Sequence, residues 1–202
     1  MKKNIFRIGI AALILMTIIS ACTTSGSSKR SVSVDYALLI IDIQNDYFED
    51  GNFALHNPTE ALRNAERILN QFRVRGLPVI HVQHVNQKGA GFFEADTWGV
   101  QIHERLTPLS YETVVVKHQI SSFAGTDLDD ILKEKGIKRL IICGMQTNVC
   151  VETTTRDAKE RGYSVVILED ACAARSMEIH DVTIETLRGE YASITGTERF
   201  RF

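Results

Sequence analysis

The sequence predicts an α/β protein of three layers, in which helices cover both faces of a mostly parallel, doubly wound sheet of five or six strands. Short, continuous apolar runs such as Tyr36–Ile41 are typical of strands that are buried on both faces. Along the chain these runs alternate with segments whose apolar residues recur at helical spacing. This alternating order favours parallel strands joined by helical crossovers. The length of 202 residues suits a single folded domain.

Each predicted element has its own local signal. The first helix is expected to begin at Asn57-Pro58, which offers an N-cap and a proline at the first helical position, and to end at Gly76. The segment from Asn86 to Glu112 has weak periodicity, and long loops in compact domains are usually functional. The remaining helices are predicted between Thr126 and Gly136, over 148–161 and over 178–188, and the strands over 36–41, 78–85, 113–117, 139–143, 164–169 and 191–195.

The composition excludes several classes of protein. Lys plus Arg number 23 and Asp plus Glu 25, so no basic excess exists to hold a phosphate backbone, and we expect no nucleic-acid partner. Hydrophobic residues make up 44%, which is too much for a disordered chain. Four Cys are too few for a disulfide scaffold. Cys143 and Cys172 border strands and are predicted to be buried free thiols, although an exported protein can oxidise such a pair to a disulfide.

The N-terminal residues resemble an export signal. After a positively charged start, Ile8–Ser20 forms an uncharged run of 13 residues, too short for a transmembrane helix, which needs about 20. The following Ala21-Cys22 looks like the lipobox of bacterial lipoproteins, which implies cleavage after Ala21 and acylation of Cys22. We therefore expect a signal peptide over 1–21, a lipidated Cys22 with a Ser-rich tether over 22–34, and the folded domain over 35–202.

A lipid at Cys22 would make the membrane a partner and place the protein in the cell envelope. The residue after Cys22 is Thr23 and not Asp, which is compatible with a location on the periplasmic side of the outer membrane in a Gram-negative host. The alternative is an uncleaved anchor, or a buried N-terminal helix in a cytoplasmic protein.

An acid, an amine and a thiol are predicted at one edge of the sheet. Ligands bind beyond the carboxyl ends of strands in open parallel sheets, where the sequence delivers Asp42, Lys117 and Cys150. A thiol in the first turn of a helix and near an ammonium is expected to have a lowered pKa. Asp42 would take the thiol proton and later pass a proton to a leaving amine, while backbone N–H groups bind the oxyanion. The pattern predicts acyl transfer to Cys150 followed by hydrolysis, most naturally of an amide.

Three motifs make the sequence resemble the isochorismatase-like cysteine hydrolases. They are Leu39–Tyr47 (LIIDIQNDY), Ser122–Leu128 (SFAGTDL) and Gly144–Val151 (GMQTNVCV). The resemblance covers about Asp35 to Thr195 and implies the three-layer fold of that family. Homo-oligomers are common in the family, so the resemblance leaves a dimer or tetramer open.

The resemblance also implies roles for individual residues. The family triad of Asp, Lys and Cys maps onto Asp42, Lys117 and Cys150. A cis peptide bond is implied between Met145 and Gln146, and the N–H groups of Gln146 and Cys150 are implied to form the oxyanion hole.

No metal or other cofactor is expected. Nicotinamidases of the family hold a metal with an Asp-x-His at the end of the second strand, where this sequence reads His84-Val85-Asn86, and His103 is the only other His nearby. A two-His site would bind zinc weakly, because tetrahedral zinc sites use more protein ligands.

The substrate is expected to be a small molecule with a scissile carbon–nitrogen bond, as in an amide, ureido or carbamoyl compound. True isochorismatases hydrolyse a vinyl ether and lack the nucleophilic cysteine, which is present here as Cys150. Two alternatives are a hydrolase of an ether or ester bond and a non-catalytic binding protein on the same fold. The predicted substrate-binding residues are Tyr47, Gln83, His84, Trp98 and Phe123. For the three aromatic residues among them, core packing is an equally good explanation.

Overall fold

The computed structural model describes residues 34–202, and the predicted signal peptide, the acylation at Cys22 and most of the tether lie outside them. The described chain forms one six-stranded sheet in which every pair of neighbouring strands is parallel. The predicted α/β fold is thereby confirmed. The strands are β1 (Tyr36–Ile41), β2 (Val79–His84), β3 (Thr113–Lys117), β4 (Arg139–Met145), β5 (Ser164–Ala173) and β6 (Ser193–Thr195). The helices are α1 (Pro58–Val74), α2 (Leu128–Glu134), α3 (Glu152–Glu160) and α4 (Met177–Leu187).

The strand order β3-β2-β1-β4-β5-β6 places a switch in winding direction between β1 and β4. Successive strands are added on one side of β1 up to β3, and on the other side from β4 onward. The loops that leave the carboxyl ends of β1 and β4 therefore diverge, and a crevice opens at this point in folds of this type. The chemistry-bearing residues of the sequence lie at that end of the sheet.

Two apolar clusters bury the two faces of the sheet. In the central strand β1, residues Ala37 to Ile41 are all buried, and successive residues belong alternately to the two clusters because their side chains point to opposite faces of the sheet. On one face α1 contributes a helical stripe of Leu62, Ala65, Ile68, Leu69 and Phe72. On the other face the remaining helices contribute Leu128, Leu132, Ala158, Ile184 and Leu187.

Several element boundaries differ from the sequence prediction. β5 continues four residues beyond the predicted end, to Ala173, because Cys172 and Ala173 pair with the end of β4 after a register shift between Ile142 and Gly144. The sequence does not indicate this continuation, because Glu169 and Asp170 interrupt the apolar run. The start of α1 agrees with the prediction, since the helix begins at Pro58, but Asn57 adopts a left-handed conformation (φ 47°) and its side chain makes no capping hydrogen bond.

Gly144 allows β4 to approach β1 closely. Its φ of +147° is unfavourable for other residues, and a Cβ atom there would lie 2.2 Å from the carbonyl oxygen of Ile41. Ile41 is paired with Gly144 and immediately precedes Asp42. The glycine therefore sets the spacing of the two strand ends that carry the site.

The long segment between β2 and β3 is ordered by buried polar contacts. The Asp46 carboxylate accepts hydrogen bonds from the N–H groups of Asn52 (3.0 Å) and Phe93, and Gly99 packs against it. At the far end of the segment, Glu112 is bound by Arg73 of α1.

No helix within residues 34–202 has the length and apolar character needed to cross a membrane.

Candidate active site

The predicted acid, amine and thiol meet at the carboxyl ends of three strands. Asp42 follows β1 and has a left-handed backbone conformation (φ 51°), while Lys117 is the last residue of β3. Cys150 lies in a π-helical turn, Thr147–Val151, which joins β4 to α3. The helix predicted from residue 148 thus begins as this wider turn, and regular α-helix starts at Glu152. The fold brings all three side chains together, and all three are buried.

The Lys117 ammonium is the centre of the site. Its Nζ lies 2.8 Å from Oδ2 of Asp42 and 3.3 Å from Sγ of Cys150. It also donates to the carbonyl oxygens of Gln119 (3.1 Å) and Ile120 (3.0 Å), which belong to the turn after β3. Lys117 is only 1% exposed, so these groups replace the water that a lysine normally binds.

His84, at the end of β2, completes the environment of the ammonium. Its Nδ1 lies 2.9 Å from Lys117 Nζ, and its Nε2 lies 2.9 Å from Oδ1 of Asn86. Lys117 and His84 are register partners on neighbouring strands, which brings their side chains side by side. Burial, together with the Lys117 charge, lowers the pKa of His84 below its ordinary value of 6.5.

The thiol is protonated at rest, contrary to the prediction from the sequence. Burial raises the pKa of Cys150 well above its ordinary value, and the Asp42 carboxylate raises it further, although Lys117 opposes both effects. Burial also raises the pKa of Asp42, against the lowering influence of Lys117. The prediction failed because desolvation outweighs the ammonium and the helix terminus on which it was based. The site holds a thiol next to a base, not a preformed thiolate.

The turn that carries Cys150 has the expected backbone features. The Met145–Gln146 peptide bond is cis, as the resemblance implied. The carbonyl of Gln146 accepts hydrogen bonds from the N–H groups of Val149 (3.2 Å) and Val151 (3.1 Å) on either side of Cys150. Thr147, at the start of the turn, is linked through Oγ1 to Nδ1 of His180 in α4 at 2.9 Å.

The five predicted substrate-binding residues fall into different environments. His84 contacts the catalytic candidates, and Tyr47 is 2% exposed, with its ring packed on Phe93 at 4.7 Å between centroids. Burial raises the pKa of Tyr47, and Asp42 and Cys150 add to this effect because they lie nearby.

Phe123, Gln83 and Trp98 are held differently. Phe123 is buried and its ring stacks on Tyr163. Gln83 donates from Nε2 to the carbonyl of Val100 at 2.9 Å, which ties the long loop to β2. Trp98 is 54% exposed. Their roles toward a substrate stay predictions.

A metal ion fits this site poorly. Ligand atoms of Asp42, His84 and Cys150 lie within 4.8 Å of one another, and they form the only such group found among residues 34–202. The Lys117 ammonium, however, contacts all three and already supplies the positive charge. His103 lies apart from them, with Nδ1 accepting from the N–H of Arg105 and its ring on Phe48.

Two further residues support the site: Gln44, which sequence reasoning did not single out, and Asn86, which it placed among the polar residues at the end of the second strand without giving it a role. Gln44 is fully buried, accepts from the N–H of His84 (2.8 Å) and donates to the carbonyl oxygens of His84 (2.8 Å) and Val100 (2.6 Å). Asn86 joins His84 to the long loop, since its Nδ2 donates to the carbonyl of Phe92 at 3.0 Å. The place of Gln44 within the LIIDIQNDY motif was the available signal.

Comparison with known proteins gives consistent results for fold and sequence. Residues 36–199 match the model of the isochorismatase domain family. The chain is 46% identical over 175 residues to YddQ of Bacillus subtilis, an uncharacterized isochorismatase family protein, and the match covers 81% of this chain and 97% of YddQ.

Solved structures show the same likeness. A putative isochorismatase hydrolase from Oleispira antarctica superposes with a TM-score of 0.79 at 34% identity, covering 81% of this chain and 94% of that one. N-carbamoylsarcosine amidase from Thermoplasma acidophilum superposes with a TM-score of 0.75 at 26% identity, covering 84% of this chain and 100% of the amidase.

Proposed function

Because this chain belongs to the isochorismatase family of hydrolases, we propose that it is a cysteine hydrolase that cleaves a carbon–nitrogen bond in a small amide, ureido or carbamoyl compound. The observation that carries the proposal is the buried contact of the Lys117 ammonium with both the Asp42 carboxylate and the Cys150 thiol. The likeness to N-carbamoylsarcosine amidase supports the choice of bond.

In the proposed first half-reaction, Asp42 accepts the thiol proton while Sγ of Cys150 attacks the substrate carbonyl carbon. The S–C bond forms, and the carbonyl oxygen becomes an oxyanion that the N–H groups of Gln146 and Cys150 bind. Lys117, which is buried, balances the negative charge. The tetrahedral intermediate then collapses, the C–N bond breaks, and Asp42 gives its proton to the departing amine or ammonia.

In the second half-reaction, water hydrolyses the thioester. Asp42 takes a proton from the attacking water as its oxygen bonds to the carbonyl carbon. The C–S bond then breaks, and Asp42 returns the proton to the departing sulfur, which restores the Cys150 thiol and frees the product acid. The raised pKa of Asp42 suits this role, because a carboxylate buried beside the thiol is a stronger base than an exposed one. The raised pKa of Cys150 means that proton removal accompanies attack.

The proposal is tested by ammonia or amine release from a panel of small amides and ureido compounds, using the full-length chain. We expect release that is lost in Cys150→Ala and retained in Cys172→Ala, a matched variant of another buried thiol. Absence of release from every compound, with a folded protein whose Cys150 can be alkylated, would contradict the proposal. Product analysis would then distinguish ether or ester hydrolysis from simple binding.

We also propose that the protein is held in the cell envelope by a lipid on Cys22. The support is the sequence alone, namely the uncharged run Ile8–Ser20 followed by Ala21-Cys22. Labelling of cells with radioactive palmitate is expected to mark the wild-type protein and to leave Cys22→Ser unlabelled. Labelling of the Cys22→Ser variant would contradict the anchor.

A further inference from the structure

We propose that His84 is a positioning residue whose neutral form, protonated on Nε2, accepts a hydrogen bond from Lys117 and holds the ammonium between Asp42 and Cys150. The inference rests on the proposed function, because it concerns the orientation of the proposed catalytic lysine. It adds a fourth residue to the acid, the amine and the thiol. It also predicts which group switches the site off in acid.

The hydrogen bonds around His84 select one tautomer. An ammonium can only donate, so Nδ1, at 2.9 Å from Lys117 Nζ, must be the unprotonated nitrogen. On the other side of the ring, Asn86 donates from Nδ2 to the carbonyl of Phe92, which turns its Oδ1 toward His84. Oδ1 can only accept, so Nε2 must carry the proton. Both neighbours therefore require the same form of the ring.

The backbone of His84 is fixed as firmly as its ring. Gln44 accepts from its N–H and donates to its carbonyl, each at 2.8 Å, and Gln44 is fully buried. The ring has little freedom to rotate away, because Asn86 and Phe93 lie against it. A chain of hydrogen bonds thus runs from the long loop through Asn86 and His84 to the lysine.

The charges around His84 come from three sides. Lys117 and the exposed His118 at the end of β3 oppose protonation, and Asp42 beyond β1 favours it. The Cys150 thiol, within 4.8 Å on the π-helical turn, is uncharged at rest. Burial opposes protonation most strongly. Together with Lys117 and His118 it lowers the pKa of His84, so the ring is neutral at pH 7. In acid, a second cation would stand 2.9 Å from the ammonium and would displace it.

The first test uses no substrate and so does not depend on the bond that is cleaved. Long-range ¹⁵N NMR of the full-length chain, labelled on histidine, reports which ring nitrogen carries the proton. Assignment uses the loss of one set of signals in His84→Asn. We expect the neutral Nε2–H form at pH 7. A protonated ring or the Nδ1–H form at that pH would overturn the proposal.

The second test measures the rate of Cys150 alkylation by iodoacetamide as a function of pH. Below the pKa of the thiol, the logarithm of this rate rises with pH with a slope of one. In the wild type we expect an additional, roughly tenfold loss on the acid side as His84 is protonated and Lys117 moves away from the thiolate. A profile with unit slope over the whole acid range in which the protein stays folded would contradict the proposal.

Three variants separate positioning from simple folding. His84→Asn keeps an acceptor near the place of Nδ1 and cannot titrate, so it should retain reactivity and lose the additional acid step. His84→Leu removes the acceptor and should lower the alkylation rate at all pH values tested. His118→Asn changes the neighbouring, exposed histidine, whose Nδ1 contacts the carbonyl of Val85. It leaves the contact of His84 with Lys117 in place, so the acid step should remain, moved to higher pH because one charge that opposes protonation of His84 is gone. If the acid step survives in His84→Asn, another group causes it, and the proposal is contradicted.

With a substrate in hand, the same variants distinguish this inference from the proposed function. We expect His84→Leu to lower kcat at least tenfold with little change in KM, and His84→Asn to restore most of kcat. Amide turnover that depends on Cys150 but not on residue 84 would refute the role of His84 and leave the hydrolase proposal standing.

Discussion

Lys117 and Asp42 form an ion pair in which Nζ lies 2.8 Å from Oδ2 and neither side chain exposes any surface to solvent. Burying two charges costs several kcal/mol per ion, by an order-of-magnitude estimate, and their attraction at best offsets this cost. Such a pair is weak evidence for a stabilising role. The pair lies beside the Cys150 thiol, which is the only thiol within residues 34–202 that contacts an ammonium. This position favours a chemical role instead.

Replacing the lysine should make stability depend on pH with a defined sign. Lys117→Met leaves Asp42 buried without its cation, which typically costs about 3–5 kcal/mol when the carboxyl is charged. The folded-state pKa of Asp42, already raised, should rise further. A raised pKa contributes stability below the unfolded-state pKa and loses it as pH rises through the folded-state value. The deficit relative to wild type, measured by urea unfolding, should be larger at pH 8 than at pH 5.

Removing the charge of Asp42 should separate thiol reactivity from turnover. In Asp42→Asn the carboxylate no longer raises the pKa of Cys150, while Lys117 still lowers it. We expect alkylation at pH 7 to become about tenfold faster, because more thiolate is present. Amide hydrolysis should be lost, because no base takes the proton and no acid returns it.

A neutral control for this experiment is Asn148→Ala, which lies on the same turn. Its side-chain Oδ1 is buried and makes no hydrogen bond to the described residues. Slower alkylation in Asp42→Asn than in the wild type would contradict the arrangement of charges described above.

Glu112 should stabilise the fold in a way that acid removes. Although burial opposes it, hydrogen bonds from Arg73, the N–H of Leu109 and His81 lower the pKa of Glu112 from 4.5 to about 2. A lowered carboxyl pKa contributes stability above the unfolded-state value and loses it as pH falls through the folded-state value. The contribution at pH 7 is at most about 3 kcal/mol by linkage.

Urea unfolding of Glu112→Gln across the pH range tests this contribution. The variant should be less stable than wild type at pH 7, and the difference should shrink between pH 4.5 and about 2. The exposed Glu190 offers a matched change, Glu190→Gln, that should have little effect. A difference between Glu112→Gln and wild type that does not change over this window would show that the carboxylate charge is not responsible.

Adding a methyl group at Gly144 should disturb the site through the backbone. The new Cβ would lie 2.2 Å from the Ile41 carbonyl oxygen, and the φ of +147° adds strain. We expect Gly144→Ala to cost about 3 kcal/mol and to reduce Cys150 alkylation. Gly136→Ala also places alanine at positive φ, but in open space, and should cost about 1 kcal/mol without changing alkylation. Equal behaviour of the two variants would rule out the close approach as the cause.

The amino-acid sequence by itself determined the order of strands and helices and the three strand ends that carry Asp42, Lys117 and Cys150. This was possible because apolar runs and helical spacing are local patterns, and parallel strands place their carboxyl ends at one edge. Boundaries failed where a local signal was overridden. The end of β5 contains polar residues and is held by pairing with β4. The predicted start of α1 at Pro58 is confirmed, although the Asn57 side chain makes no capping hydrogen bond.

Only the tertiary structure decided the protonation of the site. The pKa of Cys150 is raised because burial of the thiol outweighs a nearby ammonium, and burial depends on the packing of the entire domain. The same holds for the contact of His84 with Lys117 and for the cluster around Glu112, which lies 39 residues from Arg73 and 31 residues from His81 in the chain. Distances between side chains on different strands, and the loss of water around them, are properties of the assembled fold that no local sequence pattern contains.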